Sequence, residues 1–105
     1  MHEEVLERLA DQPWVSVIKG SVPESFSQGF PERIALAHIY MNHPAHEAVA
    51  LNKILPCLSP GGCIVFDNYG WWFYSSQKKV LDPIADQHNL SILELTTGQG
   101  LLLKR

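Results

Sequence analysis

The sequence predicts an α/β fold in which a mostly parallel sheet carries helices on its faces and ends in an antiparallel hairpin. Two short and almost wholly apolar segments, 34–40 and 63–66, are typical of strands covered on both sides, as in a parallel sheet. A segment with helical spacing separates them, and parallel neighbours require such a crossover. The last two apolar segments, 91–95 and 101–104, have only a turn between them, which predicts an antiparallel pair.

The other elements follow from local signals along the chain. Helical spacing of apolar residues predicts an opening helix over 3–12, and a strand follows at 14–18. Pro44 suits the first turn of the crossover helix, with Asn42 or His43 as its cap.

Glycine and proline mark the remaining boundaries. The run Ser59–Gly62, which reads Ser-Pro-Gly-Gly, predicts a turn before the strand at 63–66. A last helix begins near Ser75, and Pro83 should kink or restart it.

Composition and charge exclude several classes of protein. The 105 residues fit a single domain, 1–105, and 46% hydrophobic with 18% charged residues is typical of a globular chain. The net charge is −3 and there is no basic run, so we expect neither a nucleic-acid nor a membrane partner. Cys57 and Cys63 do not make a disulfide framework, and reduced thiols in the cytoplasm are the expectation.

Four segments, taken in order, resemble the macrocin O-methyltransferase-like family of class I S-adenosylmethionine-dependent methyltransferases. The most specific is 58–70, L-S-P-G-G-C-I-V-F-D-N-Y-G, which is similar to the family pattern L-x-P-G-G-x-I-x-x-D-D-Y-G. Segment 14–26 resembles the family's strand and K-G-x-x-P-E-T-L turn, 34–51 its next strand and helix, and 97–104 its closing turn and strand. The resemblance covers almost the whole chain. It implies a partial Rossmann-like methyltransferase sheet, truncated to strands three to seven of the parent fold.

The resemblance implies O-methyl transfer that uses S-adenosylmethionine and Mg²⁺ in intact relatives. Those enzymes hold the donor with a Gly-rich turn after the first strand and an acidic residue after the second, and the 105 residues contain neither. The one Gly-x-Gly, Gly98–Gly100, leads into a strand instead of a helix, so it is not a nucleotide fingerprint. We expect the isolated chain to bind no cofactor and to be inactive alone. Whether it works as an enzyme with a missing N-terminal half stays open.

The resemblance also places the candidate site at two strand ends, 40–43 and 67–71. The family carboxylates that hold Mg²⁺ correspond here to Tyr40, Asn42, Asp67 and Asn68. Only Asp67 keeps the charge, so it is expected to bind a metal weakly. The possible pocket at these ends comprises Tyr40, Asn42, His43, Asn68, Tyr69 and Trp71.

Two other features leave alternatives open. His43 and His46 are three residues apart and could share a metal ion with Asp67, or they could be exposed, one of them capping the helix. The aromatic run Trp71–Tyr74 could wall an acceptor pocket, although packing against the sheet end or a partner subunit is the interpretation we favour. His38 lies in an apolar strand and is expected to be a hydrogen-bonded core residue.

Without the first strands of the parent fold, the strand at 34–40 would have an open and apolar edge. An open strand edge of this kind tends to pair with a strand of another chain, so we expect a symmetric homodimer or a strand-exchanged oligomer. Two further hypotheses are a non-enzymatic homodimeric module and a small metal- or ligand-binding protein.

Overall fold

The computed structural model describes residues 4, 7, 8, 24–41, 43–67, 69 and 75–105. The predicted strand at 14–18, most of the predicted helix at 3–12, and Asn42, Asn68 and Trp71–Tyr74 lie outside these residues. Contacts between Cα atoms divide the chain into two units, Met1–Phe30 and Pro31–Arg105. The single domain expected from length stays a prediction.

In the first unit the structure describes residues 4, 7, 8 and 24–30. Glu4, Glu7 and Arg8 are helical, as the predicted opening helix requires. A short 3₁₀ helix spans Glu24–Gln28, and the rings of Phe26 and Phe30 meet edge to face with centroids 4.8 Å apart.

The second unit contains a four-stranded sheet with two helices. In chain order the elements are β1 (Ile34–Ile39), α1 (Pro44–Ile54), β2 (Leu58–Phe66), α2 (Ser75–Gln87), β3 (Ile92–Glu94) and β4 (Gly100–Leu103). The strand order is β1-β2-β4-β3. β1 and β2 are parallel, whereas β4 pairs antiparallel with both β2 and β3. The α/β class and the final hairpin are therefore confirmed, but the described sheet is mixed, not mostly parallel.

The start and end of α1 follow the predicted signals. His43 is the N-cap, its side chain accepts a hydrogen bond from the backbone N–H of His46, and Pro44 opens the helix. The helix ends at Ile54, and a 3₁₀ turn containing Pro56 continues to Cys57. Of the two predicted cap residues, the structure assigns the role to His43.

Pro83 does not restart α2, so of the two predicted effects, a kink or a restart, the restart is wrong. The helix runs unbroken from Ser75 to Gln87 with Pro83 inside it. Pro83 is exposed, and so is Lys79, four residues earlier. Water can therefore bind the Lys79 carbonyl that loses its helical partner, which lowers the cost of the proline.

The predicted turn at 59–62 is instead an irregularity within β2. Ile34 pairs with Leu58 and Leu36 with Cys63, so β2 contains extra residues between these two pairs. Gly61 has φ +85°, a conformation that favours glycine. The Gly61 N–H donates to the Lys104 carbonyl over 2.6 Å, and the Lys104 N–H donates to the Gly62 carbonyl over 2.9 Å. These two hydrogen bonds to Lys104, which follows β4, therefore keep the Ser-Pro-Gly-Gly segment in the sheet.

The two faces of the sheet differ in burial. On one face Ile39, Ile64, Phe66 and Leu102 are buried. They form the core together with the buried residues of the helices, which include Ala50, Leu51, Ile54, Leu81 and Ala85.

The opposite face is open among the described residues. Leu36, in the middle of β1, is 64% exposed, and Leu93 and Leu103 are also exposed. The prediction that both faces of β1 are covered is therefore wrong. An apolar run alone does not show whether both faces are covered. No helix in the described ranges is both long and apolar enough to cross a membrane.

Substituting Gly62 should weaken the pairing of β1 with β2. A Cβ added at Gly62 would lie 2.8 Å from the Ser59 carbonyl oxygen and 3.0 Å from that of Ala35, so Gly62→Ala forces backbone to move. We expect a loss of about 1–3 kcal/mol in the free energy of unfolding, measured by urea denaturation. Gly61→Asn is the control, because nothing lies within 4 Å of its added Cβ and asparagine tolerates positive φ. Equal losses from both variants would contradict this account.

Candidate functional site

The carboxyl ends of β1 and β2 meet at one edge of the sheet, where three polar side chains form what we call the strand-end cluster: His38, Asp67 and Gln99. His38 is the fifth residue of β1, Asp67 directly follows β2, and Gln99 directly precedes β4. The backbone N–H of Asp67 donates to the Ile39 carbonyl over 3.1 Å, which extends the parallel pairing beyond β2. Ligands of open α/β sheets bind beyond this edge.

Both carboxylate oxygens of Asp67 are engaged. Gln99 Nε2 donates to Oδ1 over 2.7 Å, and His38 Nε2 lies 2.9 Å from Oδ2. The Thr97 hydroxyl donates to Gln99 Oε1 over 3.0 Å, which orients the amide so that its NH₂ faces Asp67. The hydrogen bond from Gln99, followed by that from His38, holds the pKa of Asp67 below its ordinary value despite partial burial.

The arrangement orients His38 for proton transfer. Its Nε2 faces Asp67, so in the neutral ring Nε2 carries the proton and Nδ1 keeps a free electron pair. The side chain is 56% exposed, which leaves it open to a reactant. In a catalytic triad a carboxylate likewise fixes the tautomer of an imidazole, although there it accepts from Nδ1–H and Nε2 is the base.

His38 departs from its prediction in one respect. It is hydrogen-bonded as expected, but it is not a core residue. Side chains alternate along a strand, and His38 shares the open face of β1 with Leu36. Neither His38 nor Gln99 was a predicted site residue. The position of Gln99 depends on β4 lying beside β2, a pairing that no local pattern reveals.

The other predicted site residues differ in burial, and some of them lie outside the described residues. Tyr40 is exposed just beyond β1, at the same edge. Tyr69 is buried and its hydroxyl donates to Asp82; burial and that neighbouring carboxylate raise the pKa of Tyr69. Asn42, Asn68 and Trp71 lie outside the described residues.

His43 and His46 are close together, but not as a chelating pair. Their rings stack with centroids 3.9 Å apart and planes 17° from parallel. His43 Nδ1 accepts the backbone N–H of His46, which occupies one of its ring nitrogens. Lone pairs in nearly parallel ring planes do not converge on one ion. Within the described ranges, no group of three His, Cys, Asp or Glu side chains is arranged to hold a metal.

The donor set at Asp67 does not fit Mg²⁺ well. Mg²⁺ prefers several oxygen ligands, and Asp67 is a single carboxylate whose oxygens both accept hydrogen bonds. A metal role for Asp67 stays a prediction from the resemblance alone.

A depression of about 280 Å³ lies at the opposite end of the sheet, away from the strand-end cluster. Its lining residues are Leu55, His88, Asn89, Leu90, Lys104 and Arg105. The Lys104 ammonium donates to the Leu55 carbonyl over 3.0 Å, so the lysine already has a protein partner. This position supports no part of the predicted site.

Comparisons of the sequence with protein-family models and with curated proteins give no match. The family resemblance therefore stays a prediction from the quoted segments.

Removing the charge of Asp67 should cost stability in a pH-dependent way. Asp67→Asn loses a charged acceptor shared by Gln99 and His38, and we expect a loss of about 1 kcal/mol at neutral pH, since partial exposure screens the interaction. Because the pKa of Asp67 is lowered in the folded chain, its stabilising contribution is present above the ordinary aspartate value and is lost as pH falls through the lowered pKa.

The measurement is urea unfolding of both proteins from about pH 2 to pH 7, a span that includes the ordinary carboxyl range. The difference between wild type and Asp67→Asn should shrink on the acid side. Asp86→Asn, on the exposed side of α2, is the matched control and should follow wild type throughout. A difference that stays constant across the whole range would argue against a charged Asp67 as the centre of the cluster.

Proposed function

We propose that these residues are the C-terminal part of an O-methyltransferase-type domain with a partial Rossmann-like sheet, inactive in isolation. The supporting observation is the sheet itself. A parallel pair joined by α1 is extended by an antiparallel hairpin, and Asp67 lies at the carboxyl edge. This is the arrangement that the resemblance of segment 58–70 to the family implies.

In this proposal the chain supplies the acceptor side of the reaction and a donor-binding half supplies the rest. Transfer of a methyl group to a hydroxyl forms an O–CH₃ bond, breaks the S–CH₃ bond of the donor and releases the hydroxyl proton. His38, held by Asp67, is the described group best placed to accept that proton at Nδ1. S-adenosylmethionine would supply the methyl group, and no described residue is assigned to holding it.

Both cysteines agree with a cytoplasmic location. Cys57 and Cys63 are free thiols and half-buried. Free thiols persist where the compartment is reducing. We therefore extend the proposal to a cytoplasmic protein.

Calorimetric titration with S-adenosylmethionine tests the absence of donor binding. The 105-residue chain should give no saturable heat, because its residues include no Gly-rich turn that leads into a helix. An intact methyltransferase measured alongside is the positive control. The coding sequence directly upstream should encode a strand followed by Gly-x-Gly. Saturable binding of the donor to the chain alone would overturn the proposal.

A second candidate, a homodimeric module, is favoured by the open face of the sheet. Strand register places Leu36, Cys63 and Leu103 in one row across this face, and Val65, Leu101 and Leu93 in the next. The first row joins β1, β2 and β4, and the second joins β2, β4 and β3. Such apolar rows are typical of surfaces that pack against another sheet.

The size of this face sets a condition on the dimer. Four strands span roughly 14 Å across at the usual strand spacing. That is small for a standard interface of about 800 Å² per partner. We therefore infer that the edge of β1, which has no described neighbour on its outer side, adds main-chain pairing in the dimer.

Light scattering after gel filtration tests the dimer. Leu36→Lys should weaken self-association at least tenfold, because it places a charge in the middle of the apolar rows. Val49→Lys is the matched control, since Val49 is also an exposed apolar residue but lies on α1. Wild-type protein that stays a monodisperse monomer at tens of micromolar, a range typical of weak interfaces, would exclude this function.

A further inference from the structure

A buried polar pair joins the two helices. Glu47 on α1 and Gln77 on α2 are almost completely inaccessible, and Gln77 Nε2 donates to Glu47 Oε2. In the part of the chain that the structure describes, the other carboxylate oxygen of Glu47, Oε1, and the amide oxygen of Gln77 are both buried without a hydrogen-bond partner. Two acceptors without a donor are unfavourable in a core where buried polar groups are normally satisfied.

One added proton would give both of these oxygens a hydrogen bond. A protonated carboxylic acid has one O–H donor, and its other oxygen still accepts. The Oε1–H of Glu47 then donates to Gln77 Oε1 while Gln77 Nε2 donates to Glu47 Oε2, which closes a ring of two hydrogen bonds. We propose that Glu47 is a neutral acid in the folded protein and that its ring with Gln77 is a pH-sensitive clasp between α1 and α2.

The surroundings of Glu47 agree with a neutral acid. Burial raises the pKa of Glu47, and this effect exceeds the opposing effects of the Gln77 amide, the Met41 backbone N–H and the nearby His43. The other titratable residues on the elements packed around it are His38, His46, Lys53, Cys57, Lys78, Lys79, Asp82 and Asp86. Among them, His38 contacts Asp67, Lys78 pairs with Glu94, and Asp82 accepts from Tyr69.

The position of the clasp gives it a structural consequence. Glu47 is the fourth residue of α1 and Gln77 the third of α2, so the ring ties together the first turns of both helices. In the chain, these turns come after the carboxyl ends of β1 and β2. Loss of the proton leaves a carboxylate opposite the Gln77 carbonyl oxygen, and the clasp opens. This inference does not depend on the proposed function.

Carbon-detected NMR of the glutamate side chains in the full chain tests the protonation directly. The Glu47 carboxyl resonance, assigned through its backbone and by its absence in Glu47→Gln, should titrate with a midpoint above the ordinary glutamate value. A midpoint at or below that value would overturn the proposal. This measurement needs only wild-type protein if the variant does not fold.

Unfolding equilibria give a second readout with a defined sign. A raised pKa in the folded chain means that the contribution of Glu47 is fully present below the ordinary glutamate value and is lost as pH rises through the raised pKa. Over that window the wild-type unfolding constant should rise by up to about tenfold per pH unit. Glu47→Gln keeps a two-bond ring as an amide pair and should lack this rise, whereas Glu32→Gln should follow wild type. Parallel curves for wild type and Glu47→Gln would refute the clasp.

Discussion

The parallel pairing of β1 with β2 is the constraint on which the rest of the second unit depends. Its register sets Ile39 beside Phe66 on the buried face and His38 beside Val65 on the open one. Because side chains alternate along a strand, a slip by one residue would move His38 into the core and Ile39 out of it. The same register extends to the Asp67 backbone N–H, so it also fixes the carboxylate next to His38.

The C-terminal hairpin extends the sheet from β2 and adds the third residue of the strand-end cluster. β4, and not β3, is the neighbour of β2 in the sheet, and this brings Gln99 to Asp67 although 32 positions separate them in the chain. Close contact between Tyr69 and Gly100 shows how tightly this corner is packed, since an added Cβ at Gly100 would lie 2.7 Å from the Tyr69 ring. The glycine therefore allows the buried tyrosine to lie against β4, with its hydroxyl on Asp82 of α2. Sheet, hairpin and helix meet at the end where the strand-end cluster lies.

Local signals predicted the parts of this fold that local chemistry determines. The strands, the start of α1 at Pro44 with its His43 cap, and the final hairpin follow from periodicity, capping and turn residues within a few positions. Where tertiary context decides, the predictions failed. Backbone hydrogen bonds of Lys104 with Gly61 and Gly62 keep Ser59–Gly62 in a strand. Pro83 remains in α2 because water on the exposed side of the helix can bind the carbonyl that loses its partner. The site was predictable to the same extent. Asp67 was predicted from the family resemblance and its place after an apolar strand. His38 requires knowledge of which face of the sheet is open, and Gln99 requires knowledge that β4 pairs with β2.

The open face and the strand-end cluster are parts of one surface. His38 follows Leu36 on that face, and Val65, its partner on β2, belongs to the second apolar row. Whatever packs on the rows, a second copy of the chain or a donor-binding half, will therefore come close to the exposed imidazole. A dimer that covers His38 would withdraw it from water and from any hydroxyl acceptor, whereas a donor-binding half could cover the leucines and leave the edge beyond Asp67 open. The two proposed functions thus compete for the same surface, and the accessibility of His38 in the assembled state is the physical property that separates them.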